Sequence, residues 1–169
     1  YEDIREIHLE LTTLCNAKCP QCPRNFNGFT FNDGYPETYM TLDQAKHIFN
    51  PTFLKQLTQF TINGNYGDMV MNPDSVDIVE YLRETNSDVE IIISTNGGAR
   101  NKEFWQRLAK ANTKVYFDLD GIDEVHSLYR QNTRYQTVIK NALTYIGAGG
   151  HAIWKCIKFK HNVHQIEEM

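Results

Sequence analysis

Val89-Glu90-Ile91-Ile92-Ile93-Ser94, followed at once by Thr95-Asn96-Gly97-Gly98, is the stretch on which the fold turns. A nearly continuous apolar run of this length fits a parallel strand covered on both faces. The Asn-Gly-Gly turn ends it, and Asn101 caps a helix bearing Phe104, Trp105 and Leu108. The same strand-then-helix pattern recurs on both sides. Downstream, Val115 to Leu119 reads as a strand ending at Asp120-Gly121. Val138, Ile139, Ala142, Leu143 and Ile146 line the next helix, which Gly147 to Gly150 stops. Ala152 to Phe159 is a further strand, and His164 to Met169 begins a further helix. Upstream, Phe60 and Ile62 mark a strand running into Asn63-Gly64. Asn72-Pro73-Asp74 starts a helix, with proline at the first helical position and Val76, Val79 and Leu82 as its buried stripe. Thr41-Leu42-Asp43-Gln44 has the form of a capping box ahead of Leu42, Ala45, Ile48 and Phe49. Ile4 to Leu11 is the first strand. Five strands alternating with helices predict an α/β fold with a parallel sheet and right-handed crossovers. Polar, glycine and acidic residues follow the strands, at the edge where parallel α/β folds bind ligands.

The composition fits one globular domain over residues 1–169, with 41 % apolar and 22 % charged residues. The net charge of −4 and the lack of a basic block give nucleic-acid binding no electrostatic support. No apolar run approaches membrane-spanning length, and no signal peptide is visible. Three of the four cysteines crowd into one loop and Cys156 stands far off. That distribution argues against a secreted disulfide framework and for a reducing, cytoplasmic compartment.

The crowded loop is Leu14-Cys15-Asn16-Ala17-Lys18-Cys19-Pro20-Gln21-Cys22-Pro23-Arg24. Three thiolates at a CxxxCxxC spacing can occupy three irons of a 4Fe–4S cube and leave the fourth iron open to a small molecule. Structural zinc with a histidine as fourth ligand is an alternative, although neither a second CxxC nor an HxxxH pair is present. Inert buried thiols are a third. Cys156 reads as a small core residue rather than a ligand. His47 and His151 read as surface residues, and Arg24 is placed to offset negative charge at the loop.

Beyond the cysteines, the chain resembles the radical S-adenosylmethionine (radical SAM) superfamily along nearly its whole length, in the style of the peptide- and protein-modifying SPASM/twitch-type branch. Leu9 to Asn16 looks like the first strand entering the cluster loop. Gly64-Asn65-Tyr66-Gly67-Asp68-Met69 is similar to the family's Gly-Gly-Glu-Pro motif. Ser94-Thr95-Asn96-Gly97 resembles the end of the third strand. Asp118-Leu119-Asp120-Gly121, with His126 and Arg130, is similar to a fourth-strand signature, and Phe159 to Asn162 to the end of the fifth. The resemblance implies an incomplete (β/α) partial barrel of the radical SAM type. It also implies a 4Fe–4S cluster on Cys15, Cys19 and Cys22 and S-adenosylmethionine held by Tyr66, Gly67, Asp68, Ser94, Asp118 and Arg130. One electron would cleave the cofactor, and the resulting 5′-deoxyadenosyl radical would take hydrogen from a substrate, a peptide or protein. A flavodoxin or ferredoxin would donate the electron.

In the family's pattern Asp68 would accept from the cofactor's amino group, Asp118 from its ribose, and Arg130 would meet its carboxylate. The chain departs from that pattern in four places. Gln21 replaces an aromatic residue, Asp68 a longer glutamate, Met69 a proline and Asp118 a serine. Blander readings stand beside the sharp ones: Gly64 and Gly67 as turn glycines, Asp120 as a turn stabiliser, Arg130 as a solvated helix residue. The aromatic stretch Phe26, Phe29, Phe31, Tyr35 and Tyr39 reads as a lid, a cluster shield or part of the substrate mouth. A glycyl-radical activating enzyme, or a non-catalytic metal-binding or redox module, would use the same core. The chain begins without methionine, and the fifth strand would be an open edge beside a helix scarcely begun. The expectation is a fragment whose parent continues into a sixth strand and a substrate-recognising domain.

Overall fold

Alternation of buried and partly exposed residues along the three central strands of the sheet sets the architecture. The structure, a computed structural model, describes residues 1–31, 34 and 36–169, so Tyr35 lies outside the described residues. Strand β1 (Glu6–Leu9) enters the cysteine loop, which is followed by a two-residue antiparallel pair, β2 (Asn25–Phe26) and β3 (Thr30–Phe31). Then come α1 (Leu42–Ile48), α2 (Pro51–Lys55), β4 (Gln59–Asn63), α3 (Ser75–Thr85), β5 (Glu90–Thr95), α4 (Lys102–Lys110), β6 (Lys114–Asp118), α5 (Glu124–Tyr129), α6 (Tyr135–Gly147) and β7 (His151–Lys155). The five long strands form one parallel sheet in the order β1-β4-β5-β6-β7. The sheet does not close, as the partial barrel requires, and β1 and β7 are its edges. No helix among the described residues is long and apolar enough to cross a membrane.

The core lies on one face only. Leu9, Ile62, Ile93 and Val115 fall in register across four strands and are buried beneath the helices with Val79, Leu82, Trp105 and Leu108. The intervening residues Thr61, Asn63, Ile92, Ser94, Tyr116 and Asp118 stay partly exposed on the opposite face. The Val89–Ser94 run is therefore not covered on both faces as its composition predicts. Ile91 and Ile93 are buried, whereas Ile92 faces the open side of the sheet.

Local signals hold at several helix starts. Thr41 and Gln44 make both bonds of the capping box, and the Asn101 side chain accepts from the Phe104 amide at 3.0 Å. Pro73 is displaced, because α3 begins at Ser75 with Asp74 as its N-cap residue. The stripe of α6 is also rotated from expectation. Leu143 and Ile146 are 62 % and 50 % exposed, while Asn141 and Tyr145 are buried. Both buried residues have fixed polar partners: Asn141 Nδ2 donates to Gly97 O, and the Tyr145 hydroxyl meets Thr113 Oγ1 at 2.9 Å. Strand β7 ends at Lys155, four residues before the predicted limit. In place of a helix at His164–Met169 there is a 3₁₀ turn over Val163–Gln165. The buried Asn162 shapes this end by accepting from Phe159 N at 2.7 Å and donating to Ile157 O at 2.9 Å. Helix α2 is additional to the sequence expectation, and α5 ends with Arg130 as its C-cap residue.

His126, given no role by the sequence, is fully buried where β6 hands over to α5. Its Nδ1 accepts from the Asp120 amide at 3.4 Å, and its Nε2 lies 2.9 Å from Thr133 Oγ1. The Thr133 hydroxyl spends its proton on Arg130 O, so Nε2 must donate and the ring is neutral. Burial, helped by the Arg130 charge, holds this imidazole down at about 4, against 6.5 for a free histidine. The unfolded chain therefore binds an extra proton between those values, and the native state loses stability as pH falls through that window. In urea titrations, the stability gap between wild type and His126→Gln should narrow by up to about 1.4 kcal/mol per pH unit from pH 6.5 down to 4. It should stay flat above that window. Parallel curves at all pH values would contradict a neutral buried ring.

Candidate active site

The strand ends of β1, β4, β5 and β6 meet the segment after β7 around a cleft of about 370 Å³. Its walls carry Cys15, Cys19, Cys22, Arg24, the Gly64–Asp68 segment, Ser94, Asn96, Asp118, Tyr129, Arg130 and Ile157. A larger depression of about 550 Å³ between α3 and α4 lies outside this set and contains no thiol. All nine residues read from the sequence as the site thus fall in one place. Gln21 is solvent-exposed and is not among the residues lining the cleft.

The cysteine loop is held by its own backbone and by distant residues. Cys22 N donates to Cys19 O at 3.1 Å, Asn25 N to Cys22 O at 2.9 Å, and Lys18 N to Gln131 O at 2.9 Å. Arg24 is buried, donates from Nε to Thr13 O at 2.7 Å and pairs with Glu37 at 3.3 Å. Burial, reinforced by the Asp68 carboxylate, pushes the Cys15 thiol up to about 12. Burial likewise pushes Cys19 up to about 11, against the opposing pull of Arg130. These thiols are protonated at neutral pH, so a thiophilic metal would displace protons on binding. Among the described residues, no three His, Cys, Asp or Glu side chains are gathered tightly enough for a single metal ion. A cube takes one thiolate per iron and does not ask for that.

Gly64 and Gly67 are more than turn residues. A Cβ on Gly64 would lie 1.8 Å from Gly67 O, and one on Gly67 would lie 2.0 Å from Thr12 O and 2.8 Å from Leu14 O. The segment after β4 is laid directly against the backbone that enters the cysteine loop, and Asp68 N donates to Leu14 O at 2.8 Å. The Asp68 side chain is buried and accepts from Thr95, Asn96 and Val70. Desolvation raises its carboxyl to about 6 despite these donors. The Tyr66 amide donates to Glu10 at 3.3 Å.

On the other wall, Ser94 Oγ lies 3.4 Å from Asp118, which is flanked by Arg130 at 3.6 Å and Lys155 at 3.7 Å. Burial raises the Asp118 carboxyl, and the two cations work against that rise. Asp120 has no exposed surface. It accepts from Arg130 Nε at 2.5 Å and from the Ile157 amide at 2.6 Å, which makes it a brace between α5 and the end of the sheet. Arg130 is accordingly an ion-paired wall residue rather than a solvated one. Cys156 is half-buried, not core, with its sulfur 3.7 Å from Asn162 Nδ2. Phe26, Phe29 and Tyr39 are all exposed. Sequence reading missed Asn16, Asn96 and Asn132 as individuals. The one signal was position: Asn16 follows a cysteine, Asn96 ends a strand, and Asn132 sits in a turn at φ 65°.

The close backbone contact makes a test. Gly67→Ala forces a methyl group into two carbonyls that cannot rotate away, so the cysteine loop and the β4 exit must separate. The variant should melt several degrees lower, in line with a loss of about 1–3 kcal/mol for overpacking. An unchanged melting temperature would contradict the packing.

A family model described as the radical SAM superfamily matches residues 9–160. Among solved structures, Streptococcus suis SuiB bound to S-adenosylmethionine superposes with a TM-score of 0.76 at 18 % identity, over 96 % of this chain and 36 % of that one. The structure of anSMEcpe with bound AdoMet and Cp18Cys peptide gives 0.66 at 15 % identity, over 89 % and 43 %. The likeness of these two is one of fold. The GTP 3′,8-cyclase of Pectobacterium atrosepticum is 22 % identical over 128 residues, 75 % of this chain and 38 % of that protein. The chain spans less than half the length of each. Because the family match spans residues 9–160, from the end of the first strand past the cysteine loop and every strand end around the cleft, the chain belongs to the radical SAM superfamily.

Proposed function

We propose that this chain is the core of a radical SAM enzyme, with Cys15, Cys19 and Cys22 holding a 4Fe–4S cluster and S-adenosylmethionine lying across the same cleft. The observation that carries the reading is the meeting of three thiols with Ser94, Asp118, Arg130 and the Gly64–Asp68 backbone in one cavity. The donor set fits: three thiols for three irons, the buried Arg24 and the partly buried Arg130 beside them, and acceptors on the far wall. Bound together, cluster and cofactor supply one-electron cleavage of a carbon–sulfur bond and hydrogen-atom abstraction.

The chain's own residues bind and orient. The Tyr66–Gly67 segment lines the cleft beside the cysteines, on the side where the cofactor's amino group would lie. Asp118 and Ser94 accept from and donate to the ribose hydroxyls. Arg130, fixed by Asp120, presents a planar fork to a carboxylate. The walls keep water from a reactive carbon centre. We further propose a peptide or protein substrate. The peptide-bound relative supports it, as does the open sheet face beside the cleft, where Thr61, Asn63, Ile92, Ser94, Tyr116 and Lys155 line a second, largely apolar hollow of about 200 Å³. A flavodoxin- or ferredoxin-type donor and a reducing, cytoplasmic compartment belong to the same reading.

After anaerobic reconstitution, wild type and Cys156→Ala should carry equal iron and sulfide, and alanine at Cys15, Cys19 or Cys22 should abolish the iron–sulfur absorbance. Stoichiometric zinc without that absorbance would sink the proposal. A cluster with no reductive cleavage of the cofactor would leave only the redox-module alternative. Removing a hydrogen bond to a charged acceptor costs about 1.5–3 kcal/mol. Asp118→Ala should therefore weaken S-adenosylmethionine binding roughly tenfold or more in calorimetry of the cluster-loaded protein, and an unchanged affinity would remove Asp118 from the site.

A further inference from the structure

Both oxygens of the Asp68 carboxylate are spoken for. Oδ1 accepts from Thr95 Oγ1 at 2.7 Å and Val70 N at 3.2 Å. Oδ2 accepts from Asn96 N at 2.7 Å and Asn96 Nδ2 at 2.6 Å. A carboxylate offers about four acceptor sites, and the chain itself fills them. An ammonium group arriving from the cleft would have to displace a buried donor, which would then be left unpaired.

The bonds lead elsewhere. Asn96 is buried, and its Nδ2 also donates to Asn16 Oδ1 at 3.0 Å and lies 3.8 Å from Cys15 Sγ. In return, Asn16 Nδ2 donates to Asn96 Oδ1 at 3.3 Å, and Gly98 N donates to the same oxygen at 2.8 Å. The two carboxamides face each other and bond both ways, 80 residues apart in sequence. Asn16 directly follows Cys15, and its carbonyl accepts from Asn132 Nδ2 at 2.7 Å. On the other side of Cys15, Leu14 O accepts from Asp68 N at 2.8 Å. Asp68 thus reaches the first cysteine from both flanks.

We propose that Asp68, Asn96 and Asn16 form a positioning relay that holds Cys15 in its ligand geometry before any metal arrives, and that Asp68 is not a ligand of the cofactor's amino group. The proposal rests on reading Cys15 as a cluster ligand. Asp68 fixes the Asn96 amide, Asn96 fixes Asn16, and the paired amides fix the loop, so less freedom is lost when the cluster forms. The Asn96 carboxamide also lies 3.8 Å from Cys15 Sγ, so replacing it changes the immediate surroundings of the sulfur.

Hydrogen exchange of the metal-free protein tests the relay without any cofactor. Amides of residues 14–19 should exchange at least about tenfold faster in Asp68→Ala and Asn16→Ala, the effect of one lost buried hydrogen bond or more. The double variant should be no worse than the faster single, because both cut one network. Asn16 is only partly buried, so Asn16→Ala keeps the test alive if Asp68→Ala fails to fold. In reconstituted protein, the electron paramagnetic resonance spectrum of the reduced cluster should shift in Asn96→Ala, which a purely structural asparagine would not cause. Wild-type exchange in both single variants overturns the relay, as does an unshifted spectrum. So does Asp68→Ala that loads a cluster normally yet binds S-adenosylmethionine tenfold more weakly. A wild type that takes up no cluster would refute the cluster reading and leave the exchange result standing on its own.

Discussion

The Gly67 backbone lies so near the carbonyls of Thr12 and Leu14 that no side chain fits between them. The candidate site depends on this contact, because it brings the exit of β4 against the exit of β1 at the point where the cysteine loop departs. Paired strands alone would align the two exits but leave the loops free. Contact between two backbones fixes the loop, and only glycine allows it here. Asp68, the next residue, then extends the hold to β5 through Thr95 and Asn96. At the far side Asp120 does the same work for β6, α5 and the segment after β7 through Arg130 and Ile157.

Two buried acids therefore close the strand ends, and their environments differ. Asp120 has an arginine beside it. Asp68 has only neutral donors, and desolvation raises its carboxyl to about 6. Burying a charge with dipoles alone is the costlier arrangement. It also leaves the Asp68 charge facing Cys15, where it helps to keep that thiol protonated in the metal-free chain. The two walls of the cleft therefore differ: Asp68 acts on Cys15 without a cation beside it, whereas Asp118 is paired with Arg130.

The parts of this arrangement legible in the sequence are those carried by local pattern. The parallel sheet follows from strand–helix alternation, the capping box from four consecutive residues, and the cysteine loop from its spacing. Burial on one side was misread at Val89–Ser94, since a run of isoleucines looks the same whether one or both faces are covered. The face of α6 was misread because apolar counting favours Leu143 and Ile146 over Asn141 and Tyr145, whose polar atoms find partners only after folding. The end of the chain was misread because the Asn162 side chain, not periodicity, sets the turn there. Within the site, the strand-end acids were recognisable as residues but not as roles.

That difference has a physical origin. A hydrophobic stripe is encoded by neighbours a few positions apart, so a single segment reveals it. The bonds that shape this cleft join residues 80 positions apart at Asn16 and Asn96 and 116 apart at Asn132 and Asn16. Such bonds are useful here because of what the cleft must do. An apolar filling would hold the strand ends more cheaply, but it would offer nothing to a charged cofactor and nothing to the sulfur of Cys15. Carboxamides both donate and accept, so a pair of them can tie two distant loops together beside a ligand atom. The same asparagines that escape pattern reading are therefore the residues through which the fold acts on the chemistry.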